Sequence, residues 1–234
     1  MINRKTPAQL DLMAAAGQVH ARCMKLLASK IRPGVTTAEL DEAAEKFIRS
    51  QGGIPTFKGF RGFPGSICAS PNSMVVHGIP GPYELKKGDI ISIDIGVTLD
   101  GWVADAACTF PVGPIDEETQ RMLDVTKESL ELGANKMVPG NRVGDIGNAV
   151  QTHVEAAGFS IIRTLVGHGI GENMHEDPQI PNYGTPGKGA LIEEGMVFAI
   201  EPMVNVGGPG VYADESDGWS VYSDDGSMAA HFEF

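Results

Sequence analysis

Over residues 89–97 hydrophobic and polar side chains alternate with a period of two. Ile91, Ile93, Ile95 and Val97 would share one face of a strand, and Ile90, Ser92, Asp94 and Gly96 the other. A second strand-like run, 102–110, follows Asp100-Gly101, a dipeptide suited to a tight hairpin turn. Other stretches read as helices. Thr6-Pro7-Ala8-Gln9 combines an N-cap threonine, a proline at the first helical position and a glutamine at the third, so a helix is expected from there to about Lys30. Thr36 and Glu39 form a second capping box, opening a helix that ends near Gly52. Strands are expected near 66–70, 73–77, 89–97 and 102–110. Helices near 117–137 and 143–157 come next, then strands near 159–166, 173–177, 196–203 and 219–223, and a last one starting near 229. Helices then strands, twice over, is an α+β pattern with mainly antiparallel sheet.

The two rounds are related in sequence. "IRPGVTTAELDEAAEKFIRSQG" (31–52) resembles "MVPGNRVGDIGNAVQTHVEAAG" (137–158) at an offset of 106, pairing Glu39 with Asp145, Leu40 with Ile146 and Ile48 with Val154. "KKGDIISIDIG" (86–96) maps onto "EEGMVFAIEPM" (193–203) at 107, which sets Asp94 on Glu201. "VHGI" (76–79) and "GHGI" (167–170) make a third pair. Three matches in one order indicate two halves of similar architecture about a pseudo-two-fold axis, with a site at the axis drawing ligands from both.

Composition narrows the class. At 42% hydrophobic and 21% charged, the 234 residues suit a soluble globular protein. A net charge of −12 argues against a nucleic-acid grip. No apolar run approaches the ~18 residues of a membrane span, and the N-terminus lacks the apolar stretch of a signal peptide. Cys23, Cys68 and Cys108 are an odd, scattered set, which points to free thiols and a cytoplasmic location.

The alternation puts Asp94 on a definite face. With Asp100 and Gly101 as the central turn residues, Asp94 and Asp105 are diagonal neighbours; a turn shifted by one residue makes them directly opposite. Both registers bring two like charges together, and a shared proton or an intervening cation relieves that. His168 lies between glycines, His175 seven residues later, Glu201 before a proline, and Glu233 after a strand-like segment. Exposed turn acids or a structural glycine turn would account for any one of these. Together, Asp94, Asp105, His168, Glu201 and Glu233 have the composition of two divalent ions bridged by carboxylates, with His77 and His175 as non-ligand imidazoles beside them.

"HGIP" (77–80), "DIGVTLDGWVAD" (94–105), "GHGIGENMHEDP" (167–178), "EPM" (201–203), "DGW" (217–219) and "FE" (232–233) occur in the order found in the type I methionine aminopeptidases, which the chain resembles from Thr6 to Glu233. The resemblance implies the pita-bread fold, a single catalytic domain (1–234) whose halves, about 6–112 and 113–234, flank a central curved antiparallel sheet. It implies five metal ligands, Asp94, Asp105, His168, Glu201 and Glu233, with Asp105 and Glu233 bridging and Asp94 and His168 private to one ion each. The ions would be cobalt, manganese or iron(II). His77, His175 and Glu201 would be catalytic, Glu201 relaying the proton of the attacking water. Phe57, Phe60, Phe63, Cys68, Met174 and Trp219, with His77 and His175, would receive a substrate that begins with methionine. Such substrates are peptides or nascent chains, so a transient ribosome contact is expected although the sequence shows no basic docking patch; a monomer without membrane association is expected as well.

One departure matters. The family continues past Glu233 with His-Thr and more strand, whereas this sequence reads Phe234 and stops. Glu233 is therefore expected to be loosely held, which opens a second reading: an impaired pita-bread protein acting as a binding module.

Overall fold

The computed structural model describes residues 2–234. Helix α1 (Pro7–Ala28) and helix α2 (Thr37–Ser50) start where the sequence signals them, each closed by a reciprocal capping box, Thr6 with Gln9 and Thr36 with Glu39. Their apolar stripes, Val19, Cys23, Leu27, Leu40 and Ile48 among them, cover Ile91, Ile93, Ile95 and Val97 of one strand face. That burial fixes the register of the segment, because a slip by one residue would turn four apolar side chains out of the core.

Strands β1 (Ile54–Pro55), β2 (Cys68–Pro71) and β3 (Met74–Val76) precede the long hairpin of β4 (Ile90–Leu99) and β5 (Trp102–Pro111). Its turn residues Asp100 and Gly101 both have positive φ, 51° and 83°, the geometry that matches hairpin twist. β1 and β2 pair with the other edge of β4. Helix α3 (Glu117–Ala134) and helix α4 (Val143–Ala156) follow, then β6 (Ser160–Ile161), β7 (Gly167–Gly169), β8 (Glu176–Ile180), β9 (Phe198–Ala199), β10 (Met203–Asn205), β11 (Val211–Ala213), β12 (Val221–Ser223) and β13 (Ala229–His231). Every strand pairing among the described residues is antiparallel. α3 and α4 cover a second core that holds Ile146, Val150, Ile200, Val204, Ala230 and Phe232. Ile90, on the Asp94 face of β4, packs into this second core.

The internal repeat reappears in the backbone. Gly34 donates to the carbonyl of Leu85 at 2.8 Å, and Gly140 to that of Ile192 at 3.0 Å. Leu85 donates in turn to Val35, and Ile192 to Asn141. Isolated bridges join Thr36 to Glu84 and Arg142 to Leu191. In α4 the cap is changed: Arg142 stands where α2 has Thr36, and the Asp145 carboxylate accepts from the Arg142 N–H at 2.7 Å. Half of the capping box thus survives without a hydroxyl.

The second half departs from the expected strands. The 159–166 run shortens to β6, and the 196–203 run breaks into β9 and β10, with Glu201 in the interruption. Pro202 has no N–H for a ladder there. The expected 173–177 strand lies later, as β8. The Gly-His-Gly segment, expected as a turn, is a strand instead. A Cβ on Gly167 would lie 2.3 Å from the Ala199 carbonyl oxygen, and one on Gly169 2.2 Å from that of Asp177. Glycine there allows close approach of flanking strands, not bending.

Candidate metal centre and substrate pocket

The hairpin register pairs Gly96 with Asp105 and Asp94 with Ala107. Asp94 and Asp105 are therefore diagonal neighbours on one face, the first of the two registers left open by the sequence. The second acid pair is built otherwise. β10 pairs Met203 with His231, and Ile200 and Phe234 exchange backbone bonds at 2.8 and 3.2 Å. The same register, carried across the break, sets Glu201 directly opposite Glu233. The Glu201 carbonyl accepts from the Asn182 amide at 2.9 Å. The Glu233 N–H donates to Ala107 of β5 at 2.9 Å, which ties the last strand to the hairpin. Glu233 is 3% exposed and held from both sides, so the expectation that it would be loosely held is overturned. Backbone bonds at 233 and 234 supply the restraint that a longer strand was expected to give.

His168 projects from β7, gripped between β8 and β9. Its Nδ1 faces the Gly169 carbonyl at 2.9 Å. A carbonyl can only accept, so Nδ1 carries the proton and the Nε2 lone pair is free. Nε2 lies 3.6 Å from a Glu201 carboxylate oxygen. One donor atom each of Asp105, His168 and Glu233 lie within 4.8 Å of one another.

Four carboxylates converge, and among the described residues no lysine or arginine forms an ion pair with them. Burial, then Asp105 and Glu201, raises Asp94 well above the usual carboxylate range. Glu201 is raised by burial and by Asp105, and Glu233 by burial and by its three acidic neighbours. Burial pushes Asp105 up to about 7. Asp94 Oδ1 and Asp105 Oδ1 have no hydrogen-bond partner. Orphaned, buried oxygens together with a free imidazole nitrogen fit divalent cations of hard to borderline character. The donors fit the group.

All thirteen residues expected from the sequence line one cavity. The acids and His168 lie at one end. At the other, Phe63 meets Trp219 edge-on at 5.1 Å between centroids, beside Phe57, Phe60, Cys68 and Met174. Cys68 pairs with Asp94 in the ladder, and burial followed by the site's acids holds its thiol protonated. The two imidazoles stand between the ends: His175 is 4.3 Å from the His168 ring and 5.6 Å from that of Phe60, and His77 is 6.5 Å from Trp219. Burial, then His168, Arg61 and His77, lowers His175 to about 4, so its ring is neutral near pH 7. His77 is likewise lowered by burial.

Two residues at the site were missed. Arg61 completes the cavity lining. His231, 2% exposed with neither ring nitrogen partnered, has Nε2 3.7 Å from Glu233. Its position two residues before Glu233, on the same strand face, was the available signal.

A sequence profile for metallopeptidase family M24 matches residues 11–233. The methionine aminopeptidase of Clostridium perfringens is 51% identical over 233 residues, covering 100% of this chain and 93% of that protein. Methionine aminopeptidase 1 of Bacillus subtilis is 52% identical, covering 100% and 94%. The crystal structure of methionine aminopeptidase from Rickettsia prowazekii superposes with a TM-score of 0.98 at 40% identity, covering 100% of this chain and 94% of that one.

Proposed function

Because the chain belongs to metallopeptidase family M24 and has the pita-bread fold, we propose that it is a methionyl aminopeptidase, a metallo-exopeptidase that removes N-terminal methionine from peptides and nascent proteins. The observation that carries this reading is one cavity with a carboxylate–imidazole cluster at one end and an apolar, aromatic pocket at the other. Asp94, Asp105, His168, Glu201 and Glu233 would hold two divalent ions, cobalt, manganese or iron(II). Bound there, such ions would neutralise the crowded acids, polarise a carbonyl and lower the pKa of a water molecule to about 7.

The chain's own residues do the rest. Phe57, Phe60, Phe63, Cys68, Met174 and Trp219 enclose the methionine side chain, whose sulfur gains from aromatic edges. Glu201 takes the proton of the attacking water and passes it to the departing amine. His175, neutral, donates its N–H to the carbonyl oxygen as negative charge builds there. His77 hydrogen-bonds the scissile amide. The work is done by one catalytic domain acting as a monomer in the cytoplasm, in passing contact with ribosomes that supply nascent chains; no helix among the described residues is long and apolar enough to cross a membrane.

The test is methionine release from Met-Gly peptides with manganese(II), cobalt(II) or iron(II). Release that a chelator stops and added metal restores is expected. No release with any of the three would sink the aminopeptidase reading.

A further inference from the structure

We propose that Arg61 selects substrates carrying a carboxylate just beyond the cleaved bond, on the side chain of the peptide's third residue; this rests on the aminopeptidase reading. Arg61 sits in a short 3-10 turn, Phe60–Gly62, with φ 48° and ψ 26°. A left-handed backbone is unfavourable for an L-residue, and the nearby Gly59 and Gly62, at φ 87° and 90°, suit it better. A long charged side chain at the strained position is thus an outlier that folding does not require.

Its placement gives that outlier a use. Phe60 and Phe63, on either side, line the enclosed apolar pocket. Arg61 lines that pocket and also the open cleft bounded by Leu165, Val166, Asp177 and Gln179. A peptide with its first side chain in the enclosed pocket lays its following residues along this cleft, past Arg61. Among the described residues the guanidinium has no hydrogen-bond or ion-pair partner; it lies 5.3 Å from the Phe60 ring centroid, a contact that directs the side chain.

The charges facing it are Glu176, Asp177 and Glu201. Lys5 neutralises Glu176 in a buried pair at 2.8 Å, Asp177 is not without a partner, and the proposed ions neutralise Glu201. Among the described residues that line the cleft, Arg61 is left as the cation without an ion-pair partner, and it acts on its surroundings: it helps to lower His175. Five N–H donors in a planar fork match a carboxylate in shape as well as charge.

Met-Gly-Glu-amide, Met-Gly-Gln-amide and Met-Gly-Lys-amide, compared with manganese(II) present, test the proposal. kcat/KM should fall in that order, by about tenfold from first to last at low salt, and the spread should narrow as salt screens the pair. Arg61→Asn, which tolerates a left-handed backbone, should flatten the order, and Arg61→Glu should invert it. The free acid Met-Gly-Gln separates a terminal carboxylate from a side-chain one; it should match its amide. Equal rates for the Glu and Lys peptides overturn the proposal. So does an order unchanged in Arg61→Glu, or a gain confined to the free acid. If no peptide releases methionine, the aminopeptidase reading falls; equilibrium binding of the same three peptides, with the same order expected, still decides on Arg61.

Discussion

The two acid pairs of the site are assembled in different ways, although Asp94 of one and Glu201 of the other are repeat counterparts. Asp94 and Asp105 lie inside ten-residue strands joined by a two-residue turn. Glu201 sits in the break between β9 and β10, and its partner Glu233 arrives after the β11–β12 hairpin and β13. The first pair is placed by local geometry: once Asp100 and Gly101 turn, strand period does the rest. The second is placed by long-range closure, with Ile200, Phe234 and Ala107 supplying the bonds. A repeat can therefore preserve the position of a carboxylate while replacing the means that holds it.

The sharpest way to break the comparison is at the acid that differs most from its counterpart. Glu201→Ala should cut methionine release by about 10³-fold, the size expected for a lost general base. Methionine release that survived would show that the proton takes another route. Next in size is the contrast between glycines. Gly167→Ala drives a methyl into the Ala199 carbonyl and should cost about 3 kcal/mol or more in denaturant unfolding, whereas Gly101→Ala in the hairpin turn should cost about 1 kcal/mol. Equal costs would mean that β7 yields as readily as a turn.

A smaller effect separates binding from stability. Asp105 is raised to about 7 from 3.8, so the metal-free fold holds a proton there that the unfolded chain gives up. The stability linked to this group is full below about pH 3.8 and lost as pH rises through 7. Asp105→Asn, with no charge to bury, should thus raise the melting temperature of metal-free protein by a few degrees at pH 8 and hardly at pH 4, while weakening manganese binding. Thermal scans with a chelator check the first and a metal titration the second; a gain as large at pH 4 as at pH 8 would count against it.

What the sequence made legible follows from the same contrast. Capping boxes, the period of β4, the Asp-Gly turn and the Pro-Gly repeats are local signals, and each appeared where expected. The proposed ligand positions were legible from the motifs, and the repeat added its support only to Asp94 and Glu201. The breaks were not. That Glu201 leaves the ladder depends on Pro202 and on Phe234 reaching Ile200. That Gly167 and Gly169 belong to a strand depends on carbonyls of Ala199 and Asp177, which no window of sequence around His168 contains. His231 was missed because its burial comes from the strands and helices packed around it, and Arg61 because a lone arginine beside a glycine carries no period.

The clamping of β7 has a consequence for the energetics of loading. His168 has neighbours on both edges of its strand and its ring proton fixed by Gly169, so folding alone sets backbone, rotamer and tautomer. The ordering entropy of that imidazole is spent in making the fold, and uptake of a proposed ion need not supply it again. The backbone of β7 is thus a rigid template whose amide protons should exchange slowly whether or not an ion is bound.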